Sequence, residues 1–206
     1  ERIQLRSIED YINERNKDAV QAIADVQSAK QSKEYASSNL DNIDPILNKT
    51  ANLVEARAEE YARQSAEEGG KPLLDSRIEL TRAVQGIRDA ANSLGQITGH
   101  EIPMNLTASS MNRMAFTTRE PIGVVAAISA FNHPFNLIVH QVIPGVAVGC
   151  PIIVKPARTT PLSCLNLVNC LYEAGLPKEW VQVIICKGKL AEKIVTDPRV
   201  SFLTFI

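Results

Sequence analysis

The stretch "GVVAAISAFNHPFNLIVHQVIPGVAVGCPIIVKP", residues 123–156, decides the fold. It begins with "GVVAAIS" and ends with "PIIVKP", runs in which successive residues are apolar. Successive side chains of a strand point to opposite faces, so such runs are strands buried on both sides. "PFNLIVHQVIPGVAVG" between them reads as a helix that Pro144 is expected to kink or shorten. Strand, helix, strand is the unit of a parallel sheet with a right-handed crossover.

The alternation continues downstream. "TPLSCLNLVNCLYEAGLP" reads as a helix with Thr160 as N-cap, Pro161 in the first turn and Gly175 just past the end. "VQVIIC" is a strand, "KLAEKIVTD" a short helix and "VSFLTFI" a further strand. The fold class expected is α/β, a Rossmann-like parallel sheet with helices on both faces.

Upstream the pattern is helical. Ser7 and Asp10 read as the start of a helix running to about Ser37. Asp44-Pro45 reads as the N-cap and first turn of a second helix, which carries Ile46, Leu47, Leu53, Val54, Ala58 and Tyr61 to a stop at Gly69-Gly70. Pro72 opens a third, ending before Gly99. "RMAFTTREP" reads as an edge or bridging strand because it ends in proline. The expected organisation is a helical part over 1–112, a bridging strand over 113–120 and a β/α half over 121–206.

Composition excludes several classes. A net charge of −1 gives no electrostatic reason to bind nucleic acid or an anionic membrane. No apolar run is long enough to span a bilayer. Cys150, Cys164, Cys170 and Cys186 match no zinc spacing and sit among apolar neighbours, as reduced core thiols of a cytoplasmic protein do. His133 and His140 lack a third ligand, so no metal is expected. The chain starts at Glu1 and ends on the strand-like "VSFLTFI", and it is expected to be a piece of a longer protein.

Parallel sheets bind ligands beyond the carboxyl ends of their strands, yet the glycine-rich G-x-G-x-x-G is missing after the first strand. "SAFNHPFN" stands in its place. Two polar residues occupy strand ends. Asn132 has two local readings: an Asx turn ahead of Pro134, or a carboxamide that donates to an oxygen gaining negative charge. Lys155 likewise either snorkels to water or binds a hydroxyl or phosphate at the sheet edge.

Several further pieces bear on these choices: "EPIGVV", "FN-x-P", "PGVAVGCPIIVKPA", "TPL" and "EAGLP", with "EEGGKPLLDSRIEL" upstream. In this order the chain resembles the aldehyde dehydrogenase superfamily, most densely over residues 119–185. The resemblance implies NAD(P)-dependent oxidation of an aldehyde to an acid through a cysteine thiohemiacetal, in a homodimer or homotetramer. It places Asn132 on the oxyanion-stabilising asparagine. Ile128, Ser129 and Phe131 fall on the cofactor cleft, Lys155 with Ala157 on the ribose-binding stretch, and Gly188 near the adenine. Arg158 stands where the family often has Glu, so it is either solvated or pairs with the 2′-phosphate of NADP. None of the four cysteines falls on the family's nucleophile, which together with the general-base glutamate is expected beyond residue 206. A non-catalytic binding module of the same fold is the alternative.

Overall fold

The computed structural model describes residues 33–186 and 188–206, with 33–42 and 188–190 as backbone only. The reading of a helix start at Ser7 lies outside these residues. Among the described residues three helices come first: α1 (Lys33–Ala56), α2 (Ala58–Gly69) and α3 (Leu73–Ser93). Two short strands, β1 (Glu101–Ile102) and β2 (Ala115–Phe116), pair antiparallel. The alternating half follows: β3 (Val124–Ile128), α4 (Pro134–Ala147), β4 (Ile152–Lys155), α5 (Pro161–Ala174), β5 (Val181–Val183), α6 (Gly188–Thr196) and β6 (Val200–Phe205).

The strands of this half form one parallel sheet in the order β5-β4-β3-β6. Both faces are apolar, as the sequence runs require. Val125, Ala127, Ile152 and Val154 face a core shared with α1, α3, α4 and α5, whose Leu47, Ile87, Ile138 and Leu167 are fully buried. Val124, Ala126 and Ile153 face the other way, onto Ala191 and Ile194 of α6. Successive strands are added outward from β3 to β5, and the chain then returns to place β6 on the free side of β3. That reversal puts a topological switch point between β3 and β6.

Some local readings are corrected or refined by the structure. Asp44 caps nothing, because Pro45 lies inside α1. A mid-helix proline costs about 3 kcal/mol. Here Ile43, Leu47, Ala51 and Val54, at helical spacing and all buried, run one stripe through it into the core. The helix instead breaks at Arg57, between α1 and α2. Thr160 stands at the N-cap position as expected, but its hydroxyl makes no cap bond and its oxygen is buried without a partner. Glu68 of α2 caps α5 in its place: the Leu162 and Ser163 N–H groups donate to its carboxylate at 2.9 and 3.1 Å, and the Ser163 hydroxyl at 2.7 Å. At Pro144, where a kink or shortening is expected, α4 runs through the proline and ends at Ala147, short of Gly149 where the sequence run stops.

Gly99, just before β1, packs against Thr117, just after β2. A Cβ there would sit 1.6 Å from the Thr117 carbonyl oxygen, so no other residue fits without moving backbone.

Candidate functional site

The carboxyl ends of β3, β4 and β6 meet at the switch point. Ile128 is in register with Lys155 on one side and Phe205 on the other. The pairing extends one step past the strands: the Ser129 N–H donates to the Lys155 carbonyl (3.0 Å) and the Ile206 N–H to the Ile128 carbonyl (3.1 Å). Gln141 of α4, buried beneath, ties these ends together. Its Nε2 donates to the Ile128 carbonyl (3.0 Å) and to the carbonyl and hydroxyl oxygens of Thr204 (3.3 Å each).

The loop from β3 to α4 leaves this edge. Ser129 is buried and its hydroxyl has no protein partner. Phe131 is 62% exposed, and Asn132 and His133 are exposed beside it. Proline at the start of α4 suits the turn as well, because its missing N–H is one that a first turn leaves unpaired.

This loop is fixed from below by α3. The Glu79 side chain is fully buried, and its Oε1 accepts from the Phe135 N–H (2.7 Å) and the Asn136 N–H (2.9 Å). Its Oε2 is ion-paired with Lys71. The Lys71 ammonium also donates to the Asn132 carbonyl (3.3 Å) and lies 3.5 Å from His133 Nδ1.

The remaining predicted residues lie along the same edge. Lys155 is half-buried, with its ammonium donating to the Pro156 carbonyl (3.3 Å). It lies close enough to Cys186 for its charge to counter part of the upward push that burial gives that thiol. Ala157 is half-buried and Arg158 exposed in the turn after β4. Gly188 is the first residue of α6, just after β5. The structure brings Ile128, Ser129 and Lys155 together at this edge, with Phe131 and Asn132 in the loop after β3 and Ala157 and Arg158 in the turn after β4, while Gly188 opens the helix that follows β5.

Sequence reading missed Gln141, Lys71, Glu79 and Glu68. Glu79 had a signal: it interrupts the stripe that α3 buries, whose apolar members are Leu80, Ala83, Ile87 and Ala91. A carboxylate on such a stripe needs a partner. Gln141 had none, because Asn136, His140 and Gln141 are all polar interruptions of one apolar helix and sequence cannot say which meets a carbonyl.

All four cysteines are free and buried. Burial pushes the Cys164, Cys170 and Cys186 thiols up, and the Glu68 charge adds to this at Cys164. A nucleophilic thiol needs the reverse, an exposed site that stabilises thiolate. Among the described residues no group of His, Cys, Asp and Glu could hold a metal, and no helix is long and apolar enough to cross a membrane. A groove of about 770 Å³, lined by Ile97, His100, Arg119, Ile122 and Val148 among others, lies past the far end of α4 from Asn132.

This architecture, a doubly covered parallel sheet whose crevice lacks the glycine fingerprint, has close counterparts. The model of the aldehyde dehydrogenase family matches residues 5–206. The chain belongs to that family. It is similar to the 3-sulfolactaldehyde dehydrogenase of Priestia aryabhattai, with 40% identity over 161 residues, covering 78% of this chain and 34% of that protein. It is also similar to the 2,5-dioxopentanoate dehydrogenase of Saccharolobus solfataricus, with 35% identity over 78% of this chain and 33% of that protein. Among solved structures, aldehyde dehydrogenase 21 of Physcomitrella patens, in complex with the product succinate, superposes with a TM-score of 0.87 at 33% identity, over 92% of this chain and 39% of that one. The NADP-dependent glyceraldehyde-3-phosphate dehydrogenase of Bacillus halodurans C-125, complexed with NADP, does so with a TM-score of 0.84 at 28% identity, over 90% of this chain and 40% of that one. The chain spans about a third of the length of the curated relatives it matches.

Proposed function

We propose that this chain forms the cofactor cleft and the oxyanion side of an NAD(P)-dependent aldehyde dehydrogenase that oxidises an aldehyde to a carboxylic acid. The observation that carries the reading is the convergence of Asn132, Ser129 and Lys155 on one sheet edge, through the register of Ile128 with Lys155 and the Ser129–Lys155 backbone bond.

The residues at this edge fit a dinucleotide. The Ser129 hydroxyl is a buried donor and acceptor without a protein partner. Lys155 offers an ammonium held at a strand end, suited to ribose hydroxyls or phosphate oxygens. Ile128 and Phe131 give an apolar wall, Ala157 leaves room in the turn beyond Lys155, and Gly188 brings backbone close without a side chain. The cofactor, when bound, supplies the nicotinamide ring that accepts a hydride. Asn132 holds the aldehyde: its side-chain NH2 donates to the carbonyl oxygen and strengthens that bond as the oxygen gains negative charge. We assign the nucleophile to none of the four cysteines, since all are buried. Reduced core thiols also fit a cytoplasmic protein, and we expect a homo-oligomer.

A reading of the same site as a non-catalytic binding module draws on the burial of those thiols. Turnover separates the two. In the complete protein, aldehyde-dependent reduction of NAD or NADP is expected, and Asn132→Ala should lower kcat on the order of a hundredfold or more while leaving cofactor affinity nearly unchanged. Cofactor binding with no turnover of any aldehyde supports the module instead. Turnover that survives Asn132→Ala, with chemistry rate-limiting, refutes the oxyanion role.

Arg158 extends the reading to cofactor choice. An exposed guanidinium beside the ribose-binding stretch pairs with a 2′-phosphate and tolerates NADP. NAD binding at least tenfold tighter than NADP would overturn this.

A further inference from the structure

We infer that Lys71 and Glu79 act together as a positioning pair that sets the direction of the Asn132 carboxamide. The inference rests on the oxyanion reading of Asn132. It adds residues from outside the β/α half to the reaction.

The geometry is specific. Asn132 sits in an exposed loop with no regular structure, and such a segment has many backbone conformations unless something holds it. Both ends of the loop are held. On the strand side, Ser129 is pinned by its bond to the Lys155 carbonyl. On the helix side, Glu79 Oε1 takes the Phe135 and Asn136 N–H groups, so the first turn of α4 is anchored to α3. The residue between is held through its own main chain: the Lys71 ammonium donates to the Asn132 carbonyl at 3.3 Å. That bond fixes the peptide plane after Asn132. The plane fixes where Cβ points, and hence where the carboxamide can reach.

The pair is built as a unit. Lys71 precedes α3 and Glu79 lies within it, and each satisfies the other's charge. The carboxylate is fully buried and the ammonium side chain only 13% exposed, so neither charge is solvated enough to stand alone. His133 Nδ1, 3.5 Å from the ammonium, is the other loop atom within reach. A carboxylate that only capped α4 would need no lysine bonded to a carbonyl two residues before the helix.

A double-mutant cycle in the complete enzyme tests this, with the chemical step isolated in single turnover and cofactor binding and melting temperature measured on every variant. Lys71→Met should slow the chemical step on the order of tenfold, since small misplacement of a catalytic group is costly, and should leave cofactor affinity within about twofold. In the Asn132→Ala background the same change should cost less than about twofold, because there is no carboxamide left to aim. Lys71→Arg, which retains a donor, should recover part of the rate. Glu79→Gln retains an acceptor for the helix N–H groups but offers the ammonium no charge, and should resemble Lys71→Met. If Glu79→Gln fails to fold, the Lys71 variants, at the rim of the pair, still decide. Equal losses from Lys71→Met in both backgrounds overturn the pairing and make Lys71 structural. An unchanged rate in Lys71→Met beside a large loss in Asn132→Ala also overturns it and leaves the oxyanion reading standing. An unchanged rate in Asn132→Ala removes that reading and this inference together.

Discussion

Two helices of the β/α half, α4 and α5, are started by the same means and to different ends. Each follows a strand, each opens on proline, and neither uses its own N-cap side chain. In both, a glutamate from the helical layer reaches across and takes the first free N–H groups: Glu79 for α4 and Glu68 for α5. The difference is what stands behind the carboxylate. Glu79 is fully buried and ion-paired with Lys71, which continues to the Asn132 loop. Glu68 is half-buried and takes a third bond from the Ser163 hydroxyl. Its carboxyl is pushed up, chiefly by burial and also by the charge of Glu79, against the pull of those three bonds. The charge-compensated cap lies under the loop that carries Asn132, and the uncompensated one starts the helix after the turn that carries Ala157 and Arg158. Capping alone therefore does not require a buried ion pair, and the pair at Glu79 also reaches the loop that carries Asn132.

The largest effect expected from breaking this contrast is on Glu79. Glu79→Leu removes the cap and strands the Lys71 charge, so unfolding in urea should show a loss of about 3 kcal/mol or more. A loss no greater than that at Glu68 would erase the distinction between the caps. Glu68→Ala leaves no charge behind and should cost about 1–2 kcal/mol. Its pH dependence sharpens the comparison. The folded carboxyl binds its proton more readily than the unfolded one, whose ordinary value is about 4.3. The titratable part of its stabilisation is thus fully present below that value and is lost as pH rises through the folded one. Melting temperatures of the natural chain and Glu68→Gln should accordingly converge or cross as pH rises from 4 to 7. The smallest effect is expected at Glu59, on the surface of the same helix. The Arg77 guanidinium holds its carboxyl down at about 2. Its contribution is present above about 4.3 and fades as pH falls toward 2, the opposite direction. Glu59→Gln should change the melting temperature little at neutral pH, and the remaining gap should vanish in acid or high salt.

The β/α half was legible because its strands are apolar on both faces. "GVVAAIS", "PIIVKP" and "VQVIIC" admit few other readings, and the family motifs fall on the same stretches. Capping was the least legible feature. Asp44-Pro45 and Thr160-Pro161 carry the same local signal, a polar residue followed by proline. Only the second begins a helix, because at Pro45 the buried stripe from Ile43 to Val54 overrides it. Even at Thr160 the bonds come from Glu68, some ninety residues earlier in the chain. Sequence spacing cannot express a contact of that range. The edge residues Asn132 and Lys155 could be placed from strand ends alone, whereas Lys71 and Gln141 needed the packed helices. "EEGGKPLLDSRIEL", quoted only as a resemblance, contains Glu68, Lys71 and Glu79 together.

Gln141 carries a mechanical consequence. Its single NH2 group holds the carbonyl of Ile128 on β3 and both oxygens of Thr204 on β6, a side-chain tie added to the backbone pairing of these two strands. A crevice at a switch point has no crossover loop on that seam to keep it shut. Here an amide side chain from the helix below supplements the backbone ladder, so β3 and β6 are held to each other at their carboxyl ends by side chain as well as main chain.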